Sequence, residues 1–392
     1  MLDQPEIGIL GFALRPGSSG CLEILCYAKP EPGNTQVIQV APSFQATQSN
    51  FERLHGGQPQ VLRHWFQEPG AGHLVSSSLQ TETSEFFFRK RNRNVIRLLT
   101  ASDSAEPMTL PPYLRWFSLE RTLKHIDAPF LFNTDARSVL VSADWHQLAA
   151  GGRPFQTRGP DPEVEALLSE SFSAMDSPSQ LKWSAVEEWI RDLKSRVRPP
   201  VTRVPLQDAC DWIFDDKRII QRTGERYSIR QISVEMPGRE RPQWDQPILG
   251  GSAEGLVILV CSVIGGVLHF LVAARSTCGS FHGFDINALQ VSPCQYPPPA
   301  ARDRQILERV QDLKHAGRTR VLAASRFSDE GGRFFRTVSR YEVHLVPGDS
   351  LETSPGESEV WLTLGQLKAL VNAGELVSSE ARSALSLLLR YL

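Results

Sequence analysis

The chain has 392 residues, with 42 Lys and Arg against 44 Asp and Glu, a net charge of −2 and a pI near 6.5. That balance argues against a protein that coats nucleic acid, which needs a broad excess of basic charge, and 41% hydrophobic content argues against disorder outside linkers. The length allows two or three domains, and six cysteines without CxxC or zinc spacing read as free thiols of a cytoplasmic protein.

In chain order, "IGILGFALRPGSSGCLEILCYA" from Ile7 predicts a β-hairpin whose loop is Arg15 to Gly20. "FFFRKRNRN" (Phe86 to Asn94) is the most basic run; as a strand it would put Arg89, Arg91 and Arg93 on one face. His146 to Lys182, with Gly151-Gly152, Pro160, Pro162 and a Ser-rich stretch, reads as a linker. A helix follows from Trp183, with a Ser184/Glu187 capping box and Val186, Trp189, Ile190, Leu193 and Val197 at helical spacing; "RYSIRQISV" (Arg226 to Val234) reads as a strand. Leu256 to Ala274 is 19 residues without a formal charge, long enough to cross a bilayer, yet its Val and Ile content and central Gly265-Gly266 suit a buried hairpin. Pro297-Pro298-Pro299 marks a loop, "DEGGRFF" (Asp329 to Phe335) a glycine turn leading to an Arg on a strand, and Thr363 to Val371 or Ser379 to Leu389 a closing helix.

The two halves match in order. "WFSLERTLKHIDAPFLFNTDARSVL" from Trp116 pairs with "WLTLGQLKALVNAGELVSSEARSAL" from Trp361, and "FQATQSNF" from Phe44 with "LQVSPCQY" from Leu289, both at an offset of 245. Arg89 and Arg93 fall on Arg336 and Arg340 at 247, and Gln4-Pro5 on Gln246-Pro247 at 242. This pattern predicts a tandem duplication: residues 1–145 as a first repeat lacking its opening segment, 146–182 as linker, and 183–392 as a second, complete repeat. It also decides against the membrane span, because the first-half counterpart carries Arg15-Pro16-Gly17 in its middle.

The collinear set "QPEIGILG", "AKPEPGN", "FQATQSNF", "RKRNRN", "DARSVL", "WSAVEEWI", "GVLHFLVAAR", "DEGGRFF", Arg340-Tyr341, "WLTLGQL" and "EARSAL" resembles the NDP-hexose 2,3-dehydratases of deoxysugar biosynthesis. The resemblance implies an α+β subunit of two tandem Nudix-like domains in a cytoplasmic homodimer. It implies action on dTDP-4-keto-6-deoxy-D-glucose, with a partner 3-ketoreductase trapping the product, one productive and one vestigial sugar-nucleotide site, and no cofactor. No glutamate-rich metal box of the Nudix type is found, so no metal is expected, and neither nucleic acid nor membrane is an expected partner. An inactive homologue that binds a sugar nucleotide is the alternative, because the first repeat starts late and two counterparts differ.

Such a reaction needs a base for the C3 proton, a stabiliser for the enolate and an acid for the leaving C2 hydroxyl. The candidates for acid and base are Glu31, Glu82 and His269, their roles unassigned. Glu31 has Thr277 as its counterpart, Glu82 has Asp329, and His269 has Glu23. Glu31 and Glu82 are judged with the resemblance, whereas His269, in an apolar strand, is either a satisfied core histidine or a titrating group. For substrate binding, Arg89, Arg93, Arg333 and Arg340 suit phosphate and Gln45, Thr47, Ser49 and Asn50 suit hydroxyls or a base edge, with solvated or loop structure the alternative. Ser84, Tyr341, Gly331 and Gly332 complete the set. Trp244 either stacks on thymine or fills the core, and Arg382 with Ser383 either reaches phosphate or ties domains together.

Overall fold

The computed structural model describes residues 1–17, 20–54, 60–100, 103, 110–156, 161–176, 181–197, 201–222, 227–236, 242–251, 254–291, 301–348, 350–351 and 358–392. The loop at Pro297 to Pro299, Cys294 and Pro160 lie outside these residues. The first part of the chain supplies β1 (Leu2–Asp3), β2 (Gly8–Pro16), β3 (Leu22–Pro30), β4 (Ile38–Pro42), β5 (Phe44–Ala46), β6 (His73–Thr81), β7 (Phe87–Phe88), β8 (Arg91–Leu98) and β9 (Leu114–Ser118). The second supplies β10 (Trp212–Phe214), β11 (Arg218–Gln221), β12 (Tyr227–Glu235), β13 (Gln243–Gly251), β14 (Gly255–Ile264), β15 (Val267–Ser276), β16 (Phe284–Asn287), β17 (Leu289–Val291), β18 (Arg320–Ser328), β19 (Phe334–Phe335), β20 (Val338–Leu345) and β21 (Glu359–Thr363). Helices of eight residues or more are α1 (Thr134–Ser142), α2 (Pro162–Ser173), α3 (Trp183–Arg196), α4 (Ala301–His315), α5 (Leu364–Ala373) and α6 (Ser379–Ser386). The fold is α+β.

The apolar run 256–274 is a hairpin. β14 and β15 pair antiparallel and turn at Gly265 and Gly266, with φ of 59° and 87°, the doubly left-handed turn that only glycine makes without strain. The run is apolar throughout because both faces of β14 are covered. Val257, Leu259 and Cys261 join the main core, while Ile258 and Val260 pack with Ile306, Leu307, Val310 and Leu313 of α4. Among the described residues, no helix is long and apolar enough to cross a membrane.

The two seven-stranded sheets share one topology. The first runs β4-β3-β2-β8-β6 with β5 on β2 and β9 on β3; the second runs β16-β15-β14-β20-β18 with β17 on β14 and β21 on β15. Even their irregularities correspond, with a bulge at Leu74/Ser76 and another at Val321/Ala323. Arg89 and Arg336 both have φ of 52°. The Arg89 amide donates to the Gly279 carbonyl and the Arg336 amide to that of Gly33, each at 2.7 Å, so each unit lends a loop to the other. α1 and α6 lie against one another in a core continuous across both sheets.

Four sequence expectations change. Leu2 pairs with Phe87 as Leu249 pairs with Phe334, so the true offset at the start is 247, and the Gln4-Pro5 match to Gln246-Pro247 joins positions that are not equivalent. The Ser184/Glu187 capping box does not form: Lys182 is the N-cap residue, and Glu187 accepts instead from the Trp183 indole at 3.0 Å. Arg89 is not part of a strand, since its left-handed backbone breaks the chain between β7 and β8. Finally, the segment 146–182 contains α2, whose Val164 and Leu168 are fully buried, and Ser171 of α2 donates to the Leu268 carbonyl while accepting from the Leu364 amide. Burying such side chains contributes about 1.5–3 kcal/mol each.

Candidate active site

Strand ends of the first unit converge on a turn that arrives from the second. β3 leads into Glu31, β6 into Glu82, Lys90 enters β8, and α1 carries Asp135 in its first turn. Onto these comes the turn 329–333, held by the Gly33 amide donating to the Gly331 carbonyl at 2.7 Å. The two loops interlock without room for a side chain: a Cβ on Gly33 would lie 1.8 Å from the Phe334 carbonyl oxygen, and one on Gly331 1.9 Å from Asn34 Oδ1. Gln246 Nε2 donates to the Gly332 carbonyl at 2.5 Å, and Gln246 Oε1 accepts from the Trp244 indole at 2.6 Å.

This convergence gathers charges of both signs. Arg333 lies 3.1 Å from Glu330 Oε2 and 3.8 Å from Glu82 Oε2, with its guanidinium over the Phe87 ring. Lys29 pairs with Glu31 Oε1 at 2.7 Å, and Lys90 donates to the Glu6 carbonyl. Gln45 donates to Asp135 Oδ2. One oxygen of Glu31, Oε2, is buried with no hydrogen-bond partner among the described residues, the kind of vacancy that a ligand donor fills.

Burial is the main force on these groups. It raises the Asp135 carboxyl well above the carboxylate range, helped by the neighbouring Glu330 and Glu82 charges, and it raises Glu330 against the pull of Arg333. It lowers the Lys90 ammonium to about 8, with Arg333 adding to the effect and Glu82 and Glu330 opposing it. Oxygens of Glu82, Asp135 and Glu330 lie within 4.8 Å of one another, a spacing that fits a cation, although Arg333 and Lys90 already bring positive charge to the cluster. Buried acids, a desolvated amine and a guanidinium at one point supply proton donors, acceptors and a charge stabiliser together.

The chain matches the family model of NDP-hexose 2,3-dehydratases over residues 1–142 and 183–388. It is 32% identical over 98% of its length to a dTDP-4-dehydro-6-deoxy-alpha-D-glucopyranose 2,3-dehydratase of Saccharopolyspora spinosa. Proteins of the same description from Streptomyces violaceoruber and Amycolatopsis orientalis are 31% and 30% identical, each over 98% of this chain. The chain belongs to the NDP-hexose 2,3-dehydratase family. It spans 76%, 81% and 74% of the three relatives' lengths.

In this 2,3-dehydratase family member, the cluster brings together Glu31, Glu82, Gln45, Gly331, Gly332 and Arg333 of the expected residues. Thr47 caps the short helix Gln48–Phe51 by accepting from the Asn50 amide and lies 3.1 Å from Ser49 Oγ, and Ser49 donates to Glu6 Oε2 at 2.8 Å, which sets Ser49 beside the cluster. Asp135, Glu330, Lys90, Lys29 and Glu6 were not singled out from the sequence. All five lie within quoted motifs, but only the crossing of loops shows that they meet.

The remaining residues go elsewhere. His269 sits near the hairpin end of β15, its Nδ1 donating to the Val267 carbonyl at 2.8 Å and its charged form disfavoured by burial. Arg382 reaches Ser138 Oγ at 3.0 Å and the Thr81 carbonyl at 2.6 Å, tying the units together as Arg137 does from the other side through Ser328 at 3.4 Å. Arg340 pairs with Glu342 at 2.5 Å and Arg93 contacts Ser77 at 3.4 Å on the exposed surface. Trp244 is committed to Gln246.

Ser84, Tyr341 and Ser383 belong to the equivalent cluster of the second unit. There Ser84 donates to Asp285, and burial raises Asp285 to about 6 and Asp329 to about 7, the latter with Glu380 adding to the effect. Burial also raises the Tyr341 hydroxyl well above its usual value. Its cleft is lined by Glu85, Asp329, Glu380 and the rings of Phe86, Tyr227 and Phe334. Where the first unit has Lys90 and Arg333, the second has Thr337 and Phe86, so these two cations have no counterpart in its lining.

Proposed function

We propose that this chain is a hydro-lyase that removes the C2 hydroxyl of dTDP-4-keto-6-deoxy-D-glucose, and that the first-unit cluster is its productive site. The observation that carries the choice of site is the joint presence of Arg333 and Lys90 among four buried or partly buried carboxyls. The C4 ketone acidifies the C3 proton, which Glu31 or Glu82 removes. The developing C4 enolate is met by Arg333, and the C2 oxygen leaves as water with a proton from Glu330, whose carboxyl burial holds up. The resulting C2–C3 enol tautomerises to the 3,4-diketo-2,6-dideoxy nucleotide, which a 3-ketoreductase reduces.

The shared topology supports two tandem Nudix-like repeats, residues 1–145 and 183–392, joined through 146–182, and the reading carries a homodimer with it. The acidic second cluster is then the vestigial site. Glu31→Gln, Glu82→Gln and Glu330→Gln test the roles in a coupled assay with 3-ketoreductase and NADPH; full turnover in all three sinks this assignment.

A further inference from the structure

The cleft of the second unit has the chemistry of a cation site. Three carboxyl side chains line it: Glu85 from the loop after β6, Asp329 just past β18, and Glu380 in the first turn of α6; among the described residues no Lys, Arg or His does. Three rings line it too. Phe86 stands edge-to-face to both Tyr227 of β12 and Phe334 of β19, with centroids 5.0 and 5.2 Å apart and planes at 72° and 82°. Ring faces attract a cation and carboxylates accept its N–H groups, the combination that holds ammonium ions.

Two polar groups of this cleft are left without a partner among the described residues. The Thr337 hydroxyl lines it with its oxygen buried and unpaired. Asp285, 2% exposed, takes a hydrogen bond from Ser84 on Oδ2 and lies near enough to raise the Glu85 carboxyl, yet its Oδ1 is buried and unpaired. The guanidiniums that act on these acids, Arg137 on Asp329 and Arg382 on Asp285, donate to the backbone carbonyls of Phe132 and of Val377 and Thr81, and neither lines the cleft as a counter-ion. Size and spacing select the ligand. The cavity is about 30 Å³, roughly two to three times what one water requires, so it admits an ammonium head group but no pyrimidine or hexose. A bare metal ion fits less well, because among the described residues three carboxylates meet within 4.8 Å at Glu82, Asp135 and Glu330 of the first cluster and not here.

We propose that this cleft binds a primary ammonium group, with Glu85, Asp329 and Glu380 as its acceptors and Phe86, Tyr227 and Phe334 as its aromatic walls. Binding carries a proton signature. Burial and Glu380 raise Asp329 to about 7 against the pull of Arg137, burial with Glu380, Asp285 and Asp329 raises Glu85, and the neighbouring Tyr341 stays neutral. A bound cation favours the ionised carboxyls, so protons leave as it enters, and for one group titrating near 7 the affinity at pH 6 should be about tenfold below that at pH 8. Calorimetric titration of the full chain with ethylammonium chloride, at constant ionic strength in two buffers of different ionisation enthalpy, reads affinity and proton release without turnover, so its outcome is independent of the dehydratase reading. The double variant Glu85→Gln, Asp329→Asn should bind at least about tenfold more weakly and release fewer protons. Phe86→Leu, which leaves every carboxyl in place, should bind roughly 2- to 30-fold more weakly. Melting curves check that both variants are folded. Tighter binding of 1,4-diaminobutane than of glucosamine makes the group that of a polyamine, and the reverse that of an amino sugar. No saturable binding of ethylammonium to wild type, equal binding by the double variant, or equal competition by potassium overturns the proposal.

Discussion

Replacing Arg333 by alanine probes the crossing of the two units at its most charged point. The guanidinium is 3.1 Å from Glu330 and 3.8 Å from Glu82, and the three side chains are only 14%, 16% and 3% exposed. At an effective dielectric constant of about 20 the attraction to the Glu82 carboxylate amounts to roughly 4 kcal/mol, and that to Glu330 to roughly 5 kcal/mol only when Glu330 has given up its proton. Desolvation offsets much of that, so losing one partner of a buried cluster costs about 3–5 kcal/mol. Arg333→Ala should therefore lower the melting temperature by several degrees, and loss of a preorganised donor at the enolate should reduce kcat/KM by about 10²–10³-fold. Arg333→Lys keeps the charge but not the fork. It should recover most of the stability and little of the rate, because one ammonium cannot serve two carboxylates and an enolate oxygen with the same geometry. Calorimetry and the coupled assay read the two quantities separately. An alanine variant with wild-type kcat/KM would refute the placement of the reaction at this cluster.

Lys90 should shape the alkaline limb. Its ammonium is lowered from 10.5 to about 8, so kcat/KM should fall above about pH 8 as the positive charge is lost, and Lys90→Met should remove that limb; a limb that persists in the variant would assign it to another group. For stability the sign is opposite: the unfolded chain holds this proton up to about 10.5, so wild-type stability should rise between pH 8 and 10.5 by roughly 3 kcal/mol. Asp329, raised from 3.8 to about 7, binds its proton more tightly when folded, so it stabilises the fold at low pH and this contribution is lost as pH rises through 7. Asp329→Asn should then exceed wild type in stability at pH 8, by up to about 4 kcal/mol, with the gap closing near pH 4; parallel melting curves across pH would count against it. Gln246→Ala frees the Gly332 carbonyl and should lower kcat more than it raises the Michaelis constant, since it loosens the turn that delivers Glu330 and Arg333. A melting loss with unchanged kinetics would make Gln246 structural only.

What the sequence made legible was the repetition, because offsets of 245 and 247 survive wherever the strands themselves repeat. The Gln-Pro match misled because two residues of chance identity outweighed a short strand, Leu2–Asp3, that carries no pattern of its own. Glu31, Glu82 and Arg333, expected from the sequence, do come together in the fold. Asp135 and Lys90 were not, since an acid in a helix's first turn and a lysine in a basic run both read as solvated charges until the fold buries them to 2% and 1% exposure. Arg89 reads as a strand residue in the sequence because a left-handed backbone has no signature in a non-glycine residue.

The central claim is tested most directly by incubating the chain with dTDP-4-keto-6-deoxy-D-glucose, a 3-ketoreductase and NADPH, and following the sugar nucleotide by mass spectrometry. The account predicts a 2,6-dideoxy product with wild type and its loss when Glu31 and Glu82 are both replaced by Gln. No dideoxy product from a folded wild-type chain, or undiminished product from that double variant, would contradict it.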